Sequence, residues 1–296
     1  MRRLPLSARL IGVMSWIASG LAAQPGPPAG GAVKVFILAG QSNLAGRAPE
    51  SGLTAGYLAG AASVRLDYVC SFGAKSTGAG APDPHRSEGW VPLRPSPKHT
   101  STPERHFGPE MGFGRTLAAR WPDRRIAIIK HGRGATNLAE DWNPDATAGR
   151  QHYREFIAQV RAALESLGKE GLTVELGAFV WCQGEADSTR REWAEAYGEN
   201  LAALFTRVRA DLLSPGLPAL VVLTGDGRQD ASMTFAGIVR DSQRAVTSRD
   251  PRAALVAGDD FPLLDHVHYD APSQLKLGER LAEVYLDRFQ QPGTSK

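Results

Sequence analysis

Val33-Lys34-Val35-Phe36-Ile37-Leu38-Ala39 runs directly into Gly40-Gln41-Ser42-Asn43-Leu44. The first segment is compact, rich in β-branched residues and apolar on both of its alternating faces. That pattern predicts a strand covered on both sides, as in a parallel sheet. The second segment breaks the strand with glycine and places amide and hydroxyl side chains just beyond its carboxyl end. Parallel α/β folds bind their ligands there.

The same alternation of strand and helix signals extends outward. Val64–Cys70, Ile126–Lys130, Val174–Cys182 and Leu220–Thr224 read as further strands, and Ala253–Ala257 as a weaker sixth. Between them, Tyr153, Phe156, Ile157, Val160, Leu164 and Leu167 recur at helical spacing, with Gly168 as the expected stop. Trp193, Tyr197, Leu201, Leu204, Phe205, Val208 and Leu212 form a longer apolar stripe, with Thr189 and Glu192 as a candidate capping box. Met233–Val246 is a further helix candidate with Asp230 as its expected cap. Pro272 suits the first turn of a last helix lined by Leu277, Leu281, Val284 and Tyr285. Strands alternating with helices predict an α/β fold, a three-layer α/β/α sandwich around a central parallel sheet. Residues Ser71–His106, rich in Gly, Pro, Ser and His, are too long for an ordinary connection and read as a functional surface loop or insertion.

The ends of the chain have a different character. Arg2, Arg3 and Arg9 precede an apolar run from Leu10 to Ala23 that closes on small residues. A basic segment, a short apolar segment and a small-residue zone predict an export signal over 1–23, a linker over 24–32 and one domain over 33–292. The run is short for a membrane span, so stable insertion after cleavage is not expected and the protein is placed outside the cell or in the periplasm. An uncleaved anchor is the alternative. Three of the 34 Lys and Arg residues lie in this leader and none of the 31 acids does, so the remainder is formally neutral. Neutrality, with no basic run, argues against a nucleic-acid partner. Two cysteines, Cys70 and Cys182, each end an apolar run and read as buried thiols rather than a bridge.

Four polar motifs follow the strands: Gly40–Asn43, His131–Asn137, Gln183–Asp187 and, past the last strand, Asp265-His266-Val267-His268. Together they hold the parts of acyl transfer. A hydroxyl nucleophile needs a base, and the base needs an orienting carboxylate. Ser42, His268 and Asp265 supply these three. The developing oxyanion needs fixed donors, for which Ser42 N–H, Gly134 N–H and the Gln183 amide are candidates. Gly40-Gln41-Ser42-Asn43-Leu44 is not the G-x-S-x-G elbow, and a nucleophile after the first strand with acid and base three residues apart near the C-terminus differs from the α/β-hydrolase order.

The sequence resembles the SGNH (GDSL-like) hydrolases, in particular the sialate O-acetylesterase-like carbohydrate esterases of family six. The resembling residues are Gly40–Asn43 with Gly46, Phe107–Gly112, Lys130–Thr136, Trp181–Asp187 and Asp265-x-x-His268-Tyr269, in order across nearly the whole chain after the leader. The resemblance implies the SGNH type of three-layer fold, with its flavodoxin-like sheet, and removal of acetyl groups from sugars without metal or other cofactor. It also implies Ser42, His268 and Asp265 as triad, with Ser42 N–H, Gly134 and Gln183 around the oxyanion. Three positions depart from the usual pattern: Ala135 replaces a second glycine, Cys182 a histidine and His266 a small residue.

Other readings stand beside these. Ser42 also suits a helix cap. His266 competes as base, although adjacency to Asp265 is poor geometry for a carboxylate to hold the ring. Gln41, Asn43, Glu185 and Arg133 are candidates for supporting the site or contacting substrate. Glu185 and Asp187 resemble a metal pair, but no histidine lies at ligand spacing, so no metal is expected there. His131, Trp142, Arg228 and the histidines at 85, 99 and 106 have structural readings at least as good. The expected activity is a serine carbohydrate esterase acting on an acetylated glycan of sialate or xylan type through an acetyl-serine. An SGNH esterase or thioesterase on lipid or aryl esters is the alternative, and a carbohydrate-binding protein on an inactive scaffold is the alternative of another class. The oligomeric state stays open.

Overall fold

In the computed structural model, which describes residues 30–61, 63–71, 85–99, 102–145, 147 and 149–290, the stretch around Val33–Ala39 is the middle of the sheet. In chain order the elements are β1 (Ala32–Gly40), α1 (Ser42–Ala45), β2 (Ala48–Pro49), α2 (Ala55–Ala61), β3 (Arg65–Ser71), β4 (His85–Arg86), β5 (Val91–Pro92), β6 (Ser96–His99) and β7 (Thr102–Phe107). They continue as α3 (Glu110–Arg120), β8 (Arg125–Arg133), α4 (His152–Lys169), β9 (Thr173–Cys182), α5 (Arg191–Asp211), β10 (Ala219–Val222), α6 (Ala236–Arg249), β11 (Ala253–Val256) and α7 (Ala271–Phe289). The main sheet runs β11-β10-β9-β1-β8-β3-β4, with β5 also on β3. The six long strands pair in parallel, and only the short β4 and β5 run antiparallel.

The double-sided apolar pattern of β1 has its physical cause in this position. Phe36 and Leu38 pack with Phe113 and Leu117 of α3 and Leu277, Leu281 and Tyr285 of α7 on one face. Val33, Val35, Ile37 and Ala39 pack with Phe156, Val160 and Leu167 of α4 and Tyr197, Leu201 and Leu204 of α5 on the other. Each large apolar side chain so buried contributes roughly 1.5–3 kcal/mol. The fold is thus the expected three-layer α/β/α sandwich. Its crevice lies at the carboxyl end of β1, which β8 flanks on one side and β9 on the other.

Several local expectations change. β8 runs on through His131-Gly132-Arg133, which pair with β3 or β1, so that motif is strand and the turn starts at Gly134. Gly168 lies inside α4, and Gly171, at φ +77°, is the left-handed residue beyond its end. Thr189 Oγ1 donates to Ala186 O, and α5 begins without a side-chain cap, so no capping box forms. α6 starts at Ala236, and Asp230 accepts from Ser232 N–H in the preceding turn instead. Gln41, not Ser42, occupies the cap position of α1. At α7 the expectation holds: Asp270 accepts from Ser273 N–H, with proline in the first turn.

Part of the stretch read as a loop is sheet. β4 and β5 extend the main sheet, while β6 and β7 join β2 in a separate three-stranded sheet. These short, charged, Pro-interrupted strands carry no apolar alternation to reveal them. Residues 72–84, and the predicted export signal, lie outside the described residues. Cys70 and Cys182 are free, buried thiols, as expected. Among the described residues no helix is long and apolar enough to cross a membrane.

Candidate active site

Ser42 sits at the start of the one-turn helix α1, at the carboxyl end of the central strand. Two bracing devices hold that turn. Gly46, at φ +86°, passes so close to Phe107 and Gly108 that an added Cβ would lie 2.1 Å from their backbone. Beneath it, fully buried Lys130 of β8 bonds Glu110 at 2.8 Å and donates to Ala45 O at 2.9 Å. Glu110 in turn accepts from Gly108 N–H at 3.0 Å. The Phe107–Gly112 motif is therefore the underside of the Ser42 turn. Removing either member of the buried pair would cost about 3–5 kcal/mol.

The Asp265–His268 turn meets Ser42 from the far end of the chain. Ser42 Oγ lies 2.9 Å from His268 Nε2, and His268 Nδ1 lies 2.8 Å from Asp265 Oδ2. Asp265 Oδ1 also accepts from Val267 N–H at 2.9 Å and His268 N–H at 2.8 Å. Burial opposes ionisation of Asp265, but these two N–H donors and the His268 ring hold its carboxyl at about 2. Burial lowers the His268 pKa; Asp265 opposes this and the nearby Arg47 guanidinium adds to it. Near neutral pH the pair is therefore a carboxylate beside a neutral imidazole, the state a general base requires. His266 faces Asp230 at 3.7 Å instead.

Asn43 fastens this turn to the serine loop. Its amide donates to Glu185 Oε1 at 2.7 Å and Val267 O at 3.1 Å, and its side-chain oxygen accepts from Tyr269 N–H at 3.2 Å. Its backbone oxygen accepts from Gln274 at 3.1 Å. Glu185 is buried, which raises its pKa. Gln41 Oε1 accepts from Ala186 N–H at 3.3 Å, joining the ends of β1 and β9. Gln41, Asn43 and Glu185 thus hold the site together.

On the opposite side, two of the three expected oxyanion donors, Gly134 N–H and the Gln183 amide, are otherwise engaged. Gly134 N–H donates to Ser71 O at 2.9 Å, continuing the β8–β3 ladder. Gln183 Nε2 donates to Thr136 O at 3.0 Å and Asp187 Oδ2 at 2.5 Å, so both amide protons are taken. Asp187 also accepts from Leu138 and Ala139 N–H, and burial still pushes its carboxyl up to about 7. In this arrangement Gln183 and Gly134 brace the loop. Ser42 N–H and Ala135 N–H take part in none of the hydrogen bonds among the described residues. Ala135 has φ +53°, the left-handed conformation that glycine accommodates more easily.

Ser42, Arg47, Ala135, Asn137, Trp193 and His268 are among the residues around one cavity of about 550 Å³. Arg133 lies elsewhere, paired with Glu155, and Arg228 pairs with Asp226. Trp142 is fully buried and donates to Thr136 Oγ1. His131 is buried against Gln159, and burial takes its pKa down to about 3, so it titrates as neither base nor switch near pH 7. No group of three or more candidate metal ligands occurs among the described residues. Sequence reasoning missed Arg47 and Arg150 as cavity residues, because nothing in their spacing marks them, and it included Asn137 only as the end of the His131–Asn137 motif. It placed Trp193 in the core stripe of α5.

Residues 32–287 match the family described as carbohydrate esterase, sialic acid-specific acetylesterase. A probable carbohydrate esterase of Arabidopsis thaliana is 27% identical over 185 residues, 62% of this chain and 64% of that protein. The chain thus aligns with somewhat under two thirds of that relative's length. The crystal structure of that Arabidopsis protein superposes with a TM-score of 0.63 at 24% identity, covering 86% of this chain and 98% of that one. NanS gives 0.63 at 15% identity, over 88% and 98% of the two chains. A carbohydrate acetylesterase from Xanthomonas citri gives 0.56 at 19% identity, over 87% and 56%. At these identities the structural likenesses establish a shared fold.

Proposed function

The chain belongs to the carbohydrate esterase family of sialic acid-specific acetylesterases, and on that premise we propose that it hydrolyses O-acetyl esters on a sugar, with Ser42 as nucleophile. The observation that carries this reading is the continuous line Ser42 Oγ–His268–Asp265, at 2.9 and 2.8 Å, opening on the cavity. Ser42 Oγ attacks the acetyl carbonyl while His268 Nε2 takes its proton, and Asp265 stabilises the imidazolium without itself being protonated. The carbonyl electron pair moves onto oxygen, which faces the unengaged N–H groups of Ser42 and Ala135. Collapse of that intermediate breaks the bond to the sugar oxygen, which leaves with the proton from His268. Water then attacks the acetyl-serine with His268 again as base, releasing acetate and restoring Ser42.

Arg47 supports an acidic, sialate-type sugar over a neutral xylan. It is half-buried in the cavity, 3.4 Å from His268 Nδ1, and makes no ion pair among the described residues. A carboxylate on the substrate would give it one. Export through the N-terminal segment fits a glycan substrate outside the cytoplasm, and sequencing the mature N-terminus checks it. The main test is acetate release from O-acetylated sialic acid and from acetylated xylan. Ser42→Ala should lower release by about four orders of magnitude or more with an unchanged circular dichroism spectrum. Retention of activity by that variant, or faster hydrolysis of xylan than of sialate, would overturn the corresponding part of the proposal.

A further inference from the structure

Trp193 begins the apolar stripe of α5, yet it does not share the burial of the residues that follow. Tyr197, Leu201, Leu204, Phe205 and Val208 are buried in the core, whereas Trp193 is half-buried and belongs to neither core cluster. It stands in the first turn of the helix, where the stripe runs past the end of the sheet, and lines the same cavity as Ser42. Apart from His268, it is the cavity's aromatic side chain among the described residues. The other residues around the cavity include Arg47, Asn137 and Asp230, which are polar. A large apolar ring on such a wall leaves surface that water covers poorly.

The ring is also held in place. The Arg190 guanidinium stacks 4.1 Å from the Trp193 ring centroid, an attractive cation–π geometry. Arg190 is not among the residues lining the cavity. The indole thus carries a guanidinium over one face and also borders the cavity. A fixed, half-covered aromatic face is preorganised to meet a flat apolar partner, since the entropy of ordering the side chain has already been lost. The C–H face of a pyranose is such a partner, and it carries hydroxyls at its rim that suit the polar wall.

We propose that Trp193 is the platform on which the sugar ring of the substrate stacks, setting preference for sugar acetates over acetates lacking a sugar. This rests on the sugar-acetate reading above. Its test is the selectivity ratio, kcat/KM for an O-acetylated sialoside over kcat/KM for 4-nitrophenyl acetate. Trp193→Ala should lower that ratio about tenfold, mainly through a raised KM for the sugar ester, and Trp193→Phe should recover most of it. As a readout independent of turnover, the acetylated sialoside should change the indole emission of Ser42→Ala. That change should be lost in the Ser42→Ala/Trp193→Phe double variant, although five of the chain's six tryptophans remain. An equal loss on both esters, or no loss on either, would overturn the platform while leaving the esterase reading in place. A wild-type enzyme that cleaves 4-nitrophenyl acetate and no sugar acetate would overturn the sugar reading and the platform with it.

Discussion

The two sides of Ser42 are built differently. On one side the Asp265–His268 turn is local: carboxylate and imidazole are three residues apart, and the same carboxylate bonds two N–H groups of its own turn. On the other side Gln183, Asp187 and Thr136, from two separate loops, use their hydrogen bonds on one another, and Gly134 N–H is spent on Ser71 O of β3. The first side presents a reactive group to the cavity. The second presents a rigid wall whose most conspicuous polar side chain, Gln183, is turned inward. A motif that forms its contacts within itself shows its role in the sequence. A motif that shares its donors with partners more than forty residues away shows its residue types but not where all of their hydrogen bonds go.

The contrast is sharpest in the effect of deleting one side chain from each side. His268→Ala should reduce kcat by about four orders of magnitude with little change in melting temperature. Gln183→Ala should act mainly on stability, costing roughly 2–3 kcal/mol by leaving Thr136 O without its donor and removing one of the donors to Asp187, with kcat reduced less than tenfold. Turnover and thermal unfolding of the same two variants check this. A loss of about 10²–10³ in kcat at unchanged stability for Gln183→Ala would return the amide to the oxyanion and break the comparison.

A smaller effect is expected where the two sides are joined. Asn43→Ala removes the ties to Glu185, Val267 and Tyr269 and should cut kcat roughly 10–100-fold through misplacement of His268, with KM nearly constant. Kinetics on 4-nitrophenyl acetate would show whether kcat or KM moves. Asn43→Ala with wild-type kcat would mean the turn holds itself.

The pH responses of the two sides also differ. His268 lies below its ordinary 6.5, so kcat/KM should decline as pH falls through that lowered value and the imidazole becomes charged. Arg47→Ala, by removing a positive charge, should move this limb to higher pH. Across the cavity, Asp187 is raised from 3.8 to about 7 in the folded protein. Its contribution to stability is therefore present below 3.8 and is lost as pH rises through about 7, and Asp187→Asn should flatten that part of the stability profile. Denaturant titrations at several pH values read this directly.

The smallest change is expected at Ala135, whose φ of +53° costs a non-glycine residue on the order of 1 kcal/mol. Ala135→Gly should raise the melting temperature slightly, because relief of strain outweighs the added freedom of the unfolded chain. A fall would show that the alanine methyl packs productively on the wall.

By itself the sequence determined the layered α/β architecture, because the two-faced apolar strand at Val33–Ala39 and the helical stripes after it are local patterns of period and burial. It also singled out Ser42, Asp265 and His268, whose residue types and spacing suit only a few chemistries. Only the tertiary structure decided that β8 runs through His131–Arg133, that part of the 71–106 stretch is sheet, and that Asn43 clamps the histidine turn. It likewise decided that Gln183 and Gly134 N–H are spent inside the scaffold and that Trp193 leaves the core for the cavity. Each of these depends on which distant group a donor, a ring or a strand edge meets, and that is settled by packing rather than by spacing along the chain.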